Sequence, residues 1–141
     1  MAVNRGGAET ILVVDDEPEV RSLARDILEA RGYRVLEAGD GEDALRILEA
    51  ATAPVHLVLT DVVMERVTGR ELADRLKILR PGLPVLFMSG HAAEVIQDYG
   101  VVVPAADFVA KPFSIERLVA KVREKLGRPS PFVRPPSRRP S

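Results

Sequence analysis

Residues 11–18 read Ile-Leu-Val-Val-Asp-Asp-Glu-Pro, so a short aliphatic run passes directly into three acidic residues and a proline. Four consecutive aliphatic residues bounded by polar ones are typical of a strand that is covered on both faces. Pro18 is favoured in the first turn of a helix, where its missing N–H group leaves no hydrogen bond broken. This stretch therefore predicts a buried strand that ends in carboxylates and leads into a helix.

The same strand-to-helix pattern recurs between residues 9 and 127. Predicted strands cover residues 11–14, 33–38, 56–60, 85–88 and, more weakly, 107–110. An amphipathic segment of helical period follows each of them. This alternation indicates β/α units. We therefore predict an α/β fold with a doubly wound parallel sheet of five strands in the order 2-1-3-4-5, arranged as a flavodoxin-like three-layer sandwich.

Five helices are predicted from caps and apolar stripes. The second helix follows Asp40 as its N-cap, and the third runs from Thr68 as N-cap to Pro81. A weaker fourth helix covers about residues 92–99, and the fifth begins at Ser114. The apolar stripes are Val20, Leu23, Ala24, Ile27 and Leu28 in the first helix, Ala44, Leu45 and Leu48 in the second, Leu72, Leu76 and Leu79 in the third, and Ile115, Leu118, Val119, Val122 and Leu126 in the fifth.

Composition narrows the chemistry that the chain can support. Its 141 residues suit one compact domain, and 20 basic against 21 acidic side chains leave a net charge of -1, which does not indicate a surface for polyanions. The chain has no Cys and two His, which excludes thiolate sites and a site built mainly from imidazole. Any metal would therefore be a hard cation on oxygen ligands. His56, within an apolar strand, is expected to be a hydrogen-bonded structural residue.

Two end segments lie outside the predicted domain of residues 9–127. Residues 1–8, a predicted N-terminal extension, lack the apolar core of a signal peptide, and no apolar run reaches the roughly 20 residues that span a bilayer. A cytoplasmic protein without membrane contact is therefore expected. Residues 128–141 hold four Arg, five Pro and no acid, which predicts a disordered tail. So short a tail leaves no room for a DNA-binding module, and direct nucleic-acid binding is not expected.

Four of the five predicted strands end in polar side chains. Asp15 and Asp16 follow the first strand, Asp61 the third, Ser89 the fourth and Lys111 the fifth. Doubly wound sheets bind ligands beyond the carboxyl ends of their strands, at the switch point between strands one and three. Three carboxylates in one cleft need either protons or a divalent cation to compensate their repulsion, and oxygen ligands with retained waters suit Mg²⁺. An added ammonium and hydroxyl suit a phosphoryl group. The central carboxylate is a candidate nucleophile.

The motifs at these strand ends resemble the receiver domain of two-component response regulators, the CheY-like family. They are residues 11–18, Asp-Val-Val-Met at 61–64 with Gly69 further on, Met-Ser-Gly at 88–90 and Phe-Val-Ala-Lys-Pro-Phe at 108–113. Their joint order makes the match specific over about residues 9–127. Members of this family are phosphorylation-controlled switches more than enzymes, although they assist their own phosphorylation and dephosphorylation.

The resemblance implies how the phosphoryl group and the metal would be held. Asp61 would be the phosphoacceptor and would also contact Mg²⁺. Asp16 would bind Mg²⁺ directly, Asp15 would assist through water, and the backbone carbonyl of Val63 would complete the protein ligands. Lys111 would pair with a phosphoryl oxygen. Each role agrees with the chemistry of the residue type, because carboxylate and carbonyl oxygens suit Mg²⁺ and an ammonium suits a phosphoryl oxygen.

The resemblance also implies switch and tuning positions. Ser89 would hydrogen-bond a phosphoryl oxygen in the active state, and Phe108 would occupy the rotamer-switch position, where many relatives carry Tyr. Val63 and His91 would tune the loss of the phosphoryl group. Because a Val side chain cannot orient an attacking water, we predict a long-lived phosphorylated form, which His91 would oppose. Glu65 stands where the family usually has Pro.

Partners follow from the same resemblance. The phosphoryl donor would be a histidine kinase or a histidine phosphotransfer protein. A downstream protein would bind the face formed by the fourth helix, fifth strand and fifth helix, and this face is also used for homodimers in the family. The chain would be either a stand-alone regulator or the receiver of a hybrid histidine kinase.

Two alternative functions remain open at this stage. One is a receiver fold used as a phosphate-independent protein-binding module. The other is a Mg²⁺-dependent phosphohydrolase with an aspartyl-phosphate intermediate, resembling the haloacid dehalogenase family. That enzyme would need Asp-x-Asp after its first strand, whereas Asp15 and Asp16 are adjacent here.

Overall fold

Every predicted strand is found in the computed structural model, which describes residues 9–51, 54–62, 69–90 and 108–127. The strands are β1 (Thr10–Val14), β2 (Arg34–Ala38), β3 (Leu57–Asp61), β4 (Val85–Ser89) and β5 (Phe108–Ala110). They form one parallel sheet in the order β2-β1-β3-β4-β5, so the predicted doubly wound topology is confirmed. Each strand boundary lies within one residue of its prediction.

The described residues contain four helices, numbered here in chain order. They are α1 (Pro18–Glu29), α2 (Gly41–Ala50), α3 (Gly69–Leu79) and α4 (Ile115–Lys125). The last of these, α4, is the fifth helix of the sequence prediction. The predicted helix near residues 92–99, the Thr68 cap and both end segments lie outside the described residues. None of the described helices is long and apolar enough to cross a membrane.

The strand β1 explains why the sheet is covered on both faces. Its side chains alternate, so Ile11 and Val13 pack with α1 and α4, whereas Leu12 and Val14 pack with α2 and α3. All four side chains are fully buried. Burial of each side chain contributes roughly 1.5–3 kcal/mol to stability. Because helices pack on both faces of β1, this strand lies at the centre of a three-layer structure.

Polar side chains cap the first turns of α2 and α4. The N–H group of Asp43 donates to Oδ1 of Asp40 at 2.7 Å, and the N–H group of Arg117 donates to the hydroxyl of Ser114 at 3.1 Å. These bonds satisfy N–H groups that have no partner within the helix. The predicted start of α2 after Asp40 is therefore confirmed.

The connection from α3 to β4 also holds the end of α2. Arg80 follows α3, and its Nη2 atom donates to the backbone carbonyl of Leu48 at 2.7 Å in the last turn of α2. Gly82 then turns the chain with a φ of +92°, a conformation that L side chains rarely adopt. One arginine thus links the ends of two neighbouring helices.

Three leucine or isoleucine residues of the predicted stripes are exposed. Leu23 and Ile115 are 50% exposed and Leu79 is 51% exposed. Leu23 lies at the flank of its stripe, while Ile115 and Leu79 are the first and last residues of their helices. Spacing alone therefore overestimated burial at these positions. His56 is confirmed as a structural residue, because its Nδ1 atom accepts the N–H group of Thr10 at 2.9 Å.

Candidate functional site

Carboxylates gather where β1 and β3 end side by side. Asp15 follows β1 and its N–H group donates to the carbonyl of Ala38 at 3.1 Å, while Asp61 is the last residue of β3. One oxygen from each of Asp15, Asp16, Glu17 and Asp61 lies within 4.8 Å of the others. Asp15 and Asp61 are buried, whereas Asp16 and Glu17 are exposed. The cluster therefore has an inner pair and an outer pair.

Lys111 brings an ammonium group against three of these carboxylates. Its Nζ atom lies 2.8 Å from Oδ2 of Asp15, 3.1 Å from Oδ2 of Asp61 and 3.1 Å from Oε1 of Glu17. The lysine follows β5, and its own N–H group donates to the carbonyl of Ser89 at 2.9 Å. Its side chain is only 12% exposed. The sheet thus positions the ammonium inside the site.

Burial and charge act in opposite directions on the two inner groups. Burial raises the pKa of Asp15 above its ordinary value, although the hydrogen bonds from Lys111 and from the N–H group of Glu17 oppose this rise. Burial alone would lower the pKa of Lys111. The hydrogen bond to Asp15, the attraction of Asp61 and the hydrogen bond to Glu17 outweigh it and raise that pKa. The lysine is therefore positively charged across the neutral range.

The donor set fits a hard divalent cation. Four carboxylates against one ammonium leave an excess of negative charge, and Coulomb repulsion among them is reduced when a cation binds. Carboxylate oxygens are the ligands that Mg²⁺ prefers, and the two exposed members leave room for the waters that Mg²⁺ retains. Asp15, Asp16 and Asp61 are the residues that would hold it. The sequence reasoning did not assign Glu17, although it directly follows the acidic pair.

The remaining sequence-predicted residues divide into two groups. Ser89 ends β4 and is buried beside Lys111, while Phe108 begins β5 and packs half-buried against the cluster of Val62, Ala73 and Phe87. Val63 and His91 lie outside the described residues, as does Glu65. The structure therefore brings together Asp15, Asp16, Asp61, Ser89 and Lys111 at one edge of the sheet.

One contact at the site has no signal in the sequence. Nη1 of Arg21, the fourth residue of α1, donates to the backbone carbonyl of Asp15 at 2.7 Å. Any residue type offers a backbone carbonyl, so residue patterns do not reveal this partner. Only the placement of α1 over the end of β1 brings the two groups together.

A doubly wound parallel sheet with an acidic cluster and a lysine at its switch point defines a class of α/β ligand-binding domains. A family model described as the response regulator receiver domain matches residues 11–123. The chain belongs to this family, and its fold is CheY-like. The predicted family and the predicted fold class are both confirmed.

Several relatives show the extent of the similarity. Sensor kinase CckA of Brucella abortus (strain 2308) is 35% identical over 125 residues, which cover 89% of this chain and 13% of CckA. Transcriptional regulatory protein CpxR of Escherichia coli (strain K12) is 38% identical over 120 residues, covering 84% of this chain and 49% of CpxR. The crystal structure of the receiver domain from hybrid histidine kinase CckA aligns with a TM-score of 0.67 and 38% identity, covering 83% of this chain and 98% of that chain.

Family membership carries general properties but not the activity of whole relatives. This chain spans about half of CpxR and 13% of CckA. Receiver domains bind Mg²⁺ through an acidic cluster, interact with histidine kinases and downstream effectors, and serve as signalling switches in two-component systems. They are not enzymes in the ordinary sense.

Proposed function

We propose that this chain is a phosphorylation-activated switch that accepts a phosphoryl group on Asp61 from the phosphohistidine of a histidine kinase or phosphotransfer protein. One observation carries the proposal: Nζ of Lys111 lies 3.1 Å from Oδ2 of Asp61 at the switch point of a receiver fold. The nucleophile is thus held beside the cation that would pair with the incoming phosphoryl oxygens.

The reaction would be an in-line displacement at phosphorus. A carboxylate oxygen of Asp61 forms the new O–P bond while the N–P bond of phosphohistidine breaks, and the imidazole nitrogen leaves with the electron pair. When bound by Asp15, Asp16, Asp61 and the carbonyl of Val63, Mg²⁺ would neutralise charge between these carboxylates and the phosphoryl group. The ammonium group of Lys111 contacts Asp15 and Asp61 in the structure. After phosphorylation it would pair with a phosphoryl oxygen.

The acyl phosphate would act as the signal. It adds negative charge at the end of β3, next to Ser89 at the end of β4, where a hydroxyl donor can bond a phosphoryl oxygen. Phe108 is half-buried beside Phe87 and Val62, and without a hydroxyl its response would be a change of packing. Val63 and His91 would then set the lifetime of the phosphoryl group.

The test measures phosphorylation directly. The protein is incubated with Mg²⁺ and acetyl phosphate, and intact mass is recorded for wild type, Asp61→Asn and Asp26→Asn. Asp26 is an exposed aspartate of α1, so its variant is a matched control for the loss of one carboxylate. We expect one added phosphoryl group in wild type and Asp26→Asn, dependent on Mg²⁺, and none in Asp61→Asn. Phosphorylation of Asp61→Asn to the wild-type level would contradict the assignment.

Absence of phosphorylation by acetyl phosphate and by a panel of histidine kinases would favour the phosphate-independent binding module. Release of inorganic phosphate from small phosphate esters would instead favour the phosphohydrolase. The adjacent Asp15 and Asp16 already disfavour that enzyme, because its motif needs one residue between them.

We also propose the setting of this switch. Residues 9–127 form the receiver domain and residues 128–141 a linker or tail of a cytoplasmic protein. The similarity to sensor kinase CckA supports the receiver of a hybrid kinase, whereas a stand-alone regulator would depend on a separate kinase. Output would pass through the face that includes β5 and α4, either to a downstream protein or to a second copy of the chain. Comparing the rates of phosphotransfer to this chain from isolated kinase domains of hybrid kinases and of separate histidine kinases distinguishes the two settings.

A further inference from the structure

Arg21 holds the loop that carries the acidic pair. Its Nη1 atom donates to the carbonyl oxygen of Asp15 at 2.7 Å, and its backbone N–H group donates to the carbonyl of Glu17 at 3.1 Å. Within the loop, the N–H group of Glu17 donates to Oδ1 of Asp15 at 2.8 Å. One residue of α1 therefore contacts both ends of the segment from Asp15 to Glu17.

The Asp15 carbonyl lies where the ladder between β1 and β2 stops. Asp15 still donates its N–H group to Ala38, the last residue of β2. A parallel ladder would next supply an N–H donor from beyond Ala38. The guanidinium of Arg21 donates to this carbonyl instead. A charged donor makes a stronger hydrogen bond than a neutral N–H group does. Because Asp15 is fully buried, its carbonyl needs such a partner.

The guanidinium is itself held in place. Nε of Arg21 lies 3.2 Å from Oε1 of Glu37 in β2, and Nη1 of Arg25 lies 2.8 Å from Oε2 of the same carboxylate. Arg21 is 21% exposed at its side chain, so the contact lies mostly inside the protein. Glu37 thus orients Arg21, whereas Arg25 binds Glu37 without reaching the acidic loop.

We infer that Arg21 is a positioning residue for Mg²⁺ binding. Its bond to the Asp15 carbonyl fixes the plane of the peptide between Asp15 and Asp16, and that plane sets the direction in which the Asp16 side chain leaves the loop. This inference rests on the proposed Mg²⁺-dependent function. Groups that orient metal ligands in this way typically change metal affinity by about 10- to 100-fold when removed.

Charge and positioning predict opposite signs for the loss of Arg21. Removing a positive charge near the acidic cluster strengthens attraction for Mg²⁺, so electrostatics alone predicts tighter binding. Losing the bond to Asp15 releases the loop and predicts weaker binding. Arg25→Met removes the same charge from the neighbouring turn but leaves the Asp15 carbonyl bonded. The pair of variants therefore separates the two effects.

The experiment is calorimetric titration of Mg²⁺ into the metal-free protein without a phosphodonor. We expect the Kd to rise about 10-fold in Arg21→Met and to stay within about twofold of wild type, or fall, in Arg25→Met. Arg21→Lys keeps the positive charge but lacks the planar guanidinium, so its Kd should be intermediate. This variant serves as the test if Arg21→Met does not fold. Urea midpoints report folding of each variant.

A second readout uses phosphorylation by acetyl phosphate. In Arg21→Met, half-maximal rate should require more Mg²⁺, while the rate at saturating Mg²⁺ returns to the wild-type level. An Arg21→Met Kd within twofold of that of Arg25→Met would overturn the inference. Failure of wild type to bind Mg²⁺ would overturn both the inference and the proposed function. Mg²⁺ binding without phosphorylation by acetyl phosphate or by any of the histidine kinases would overturn the proposed function alone.

Discussion

Asp15 is a buried carboxylate whose charge is only partly compensated. Lys111 lies 2.8 Å away, yet burial raises the pKa of Asp15 because the charged form loses more solvation than its hydrogen bonds replace. In the metal-free protein, the ionised form of Asp15 therefore stabilises the fold less than its protonated form does. This cost is the physical reason that a site of this composition gains from a cation.

We expect Asp15→Asn to unfold at a higher urea concentration than wild type at pH 7 in EDTA. Because the folded-state pKa of Asp15 is raised, the folded protein retains a proton that the unfolded chain has lost above about pH 3.8. The free energy of unfolding of wild type therefore falls as pH rises from that value through the folded-state pKa. The advantage of the variant should grow across this window and then level off.

The control for this measurement is Asp26→Asn, which removes an exposed carboxylate with the same change in charge. Its urea midpoint should stay close to that of wild type throughout this pH range. An Asp15→Asn midpoint at or below that of wild type at pH 7 would show that the ion pair with Lys111 outweighs the burial of Asp15.

At the residue scale, part of the site follows from the sequence and part does not. Asp61 and Lys111 directly follow predicted strands, and the switch-point rule then brings them together. The contact of Glu17 with Lys111 depends on how a long, exposed side chain folds back at the start of α1. The bond from Arg21 to the Asp15 carbonyl involves a group that every residue possesses, so no residue pattern records it.

At the level of elements, the end of α2 depends on a residue outside it. The guanidinium of Arg80 bonds the Leu48 carbonyl at 2.7 Å, where the helix has carbonyls without internal partners and a partial negative charge. We expect Arg80→Ala to lower the free energy of unfolding by about 1 kcal/mol, measured by urea denaturation. Arg75→Ala, on the exposed face of α3, is the matched control and should cost less. Equal losses of unfolding free energy in the two variants would argue against a capping role of Arg80 at the end of α2.

The helices and strands themselves were largely predictable, for reasons that differ by element. Four aliphatic residues in β1 and the side-chain cap at Asp40 specify local structure with few neighbours. Burial at helix ends was harder to predict, because Leu79 and Ile115 have the right spacing and are nevertheless about half exposed. Their exposure depends on which neighbours the assembled fold places around a helix end, and spacing within the helix does not specify this.

For the whole molecule, binding of Mg²⁺ to the folded form should increase stability by mass action. At a free Mg²⁺ concentration 100 times the Kd, the free energy of unfolding should rise by about 2.7 kcal/mol. Thermal unfolding with and without Mg²⁺ measures this rise, and EDTA should reverse it. Asp16→Asn should lose most of the effect and Asp26→Asn should keep it. A wild-type melting temperature that does not change with Mg²⁺ would contradict Mg²⁺ binding by the acidic cluster.

The contacts of Lys111 also bear on how the protein is made. Its partners Asp15 and Asp61 precede it by 96 and 50 residues. During synthesis from the N-terminus, both acids therefore enter the chain well before their shared counter-charge. Asp61 is the proposed phosphoacceptor, so during synthesis the chain would carry this acceptor before it carries the lysine that would pair with the phosphoryl group. We therefore expect an incompletely synthesised chain that ends before Lys111, just after β5, to accept no phosphoryl group.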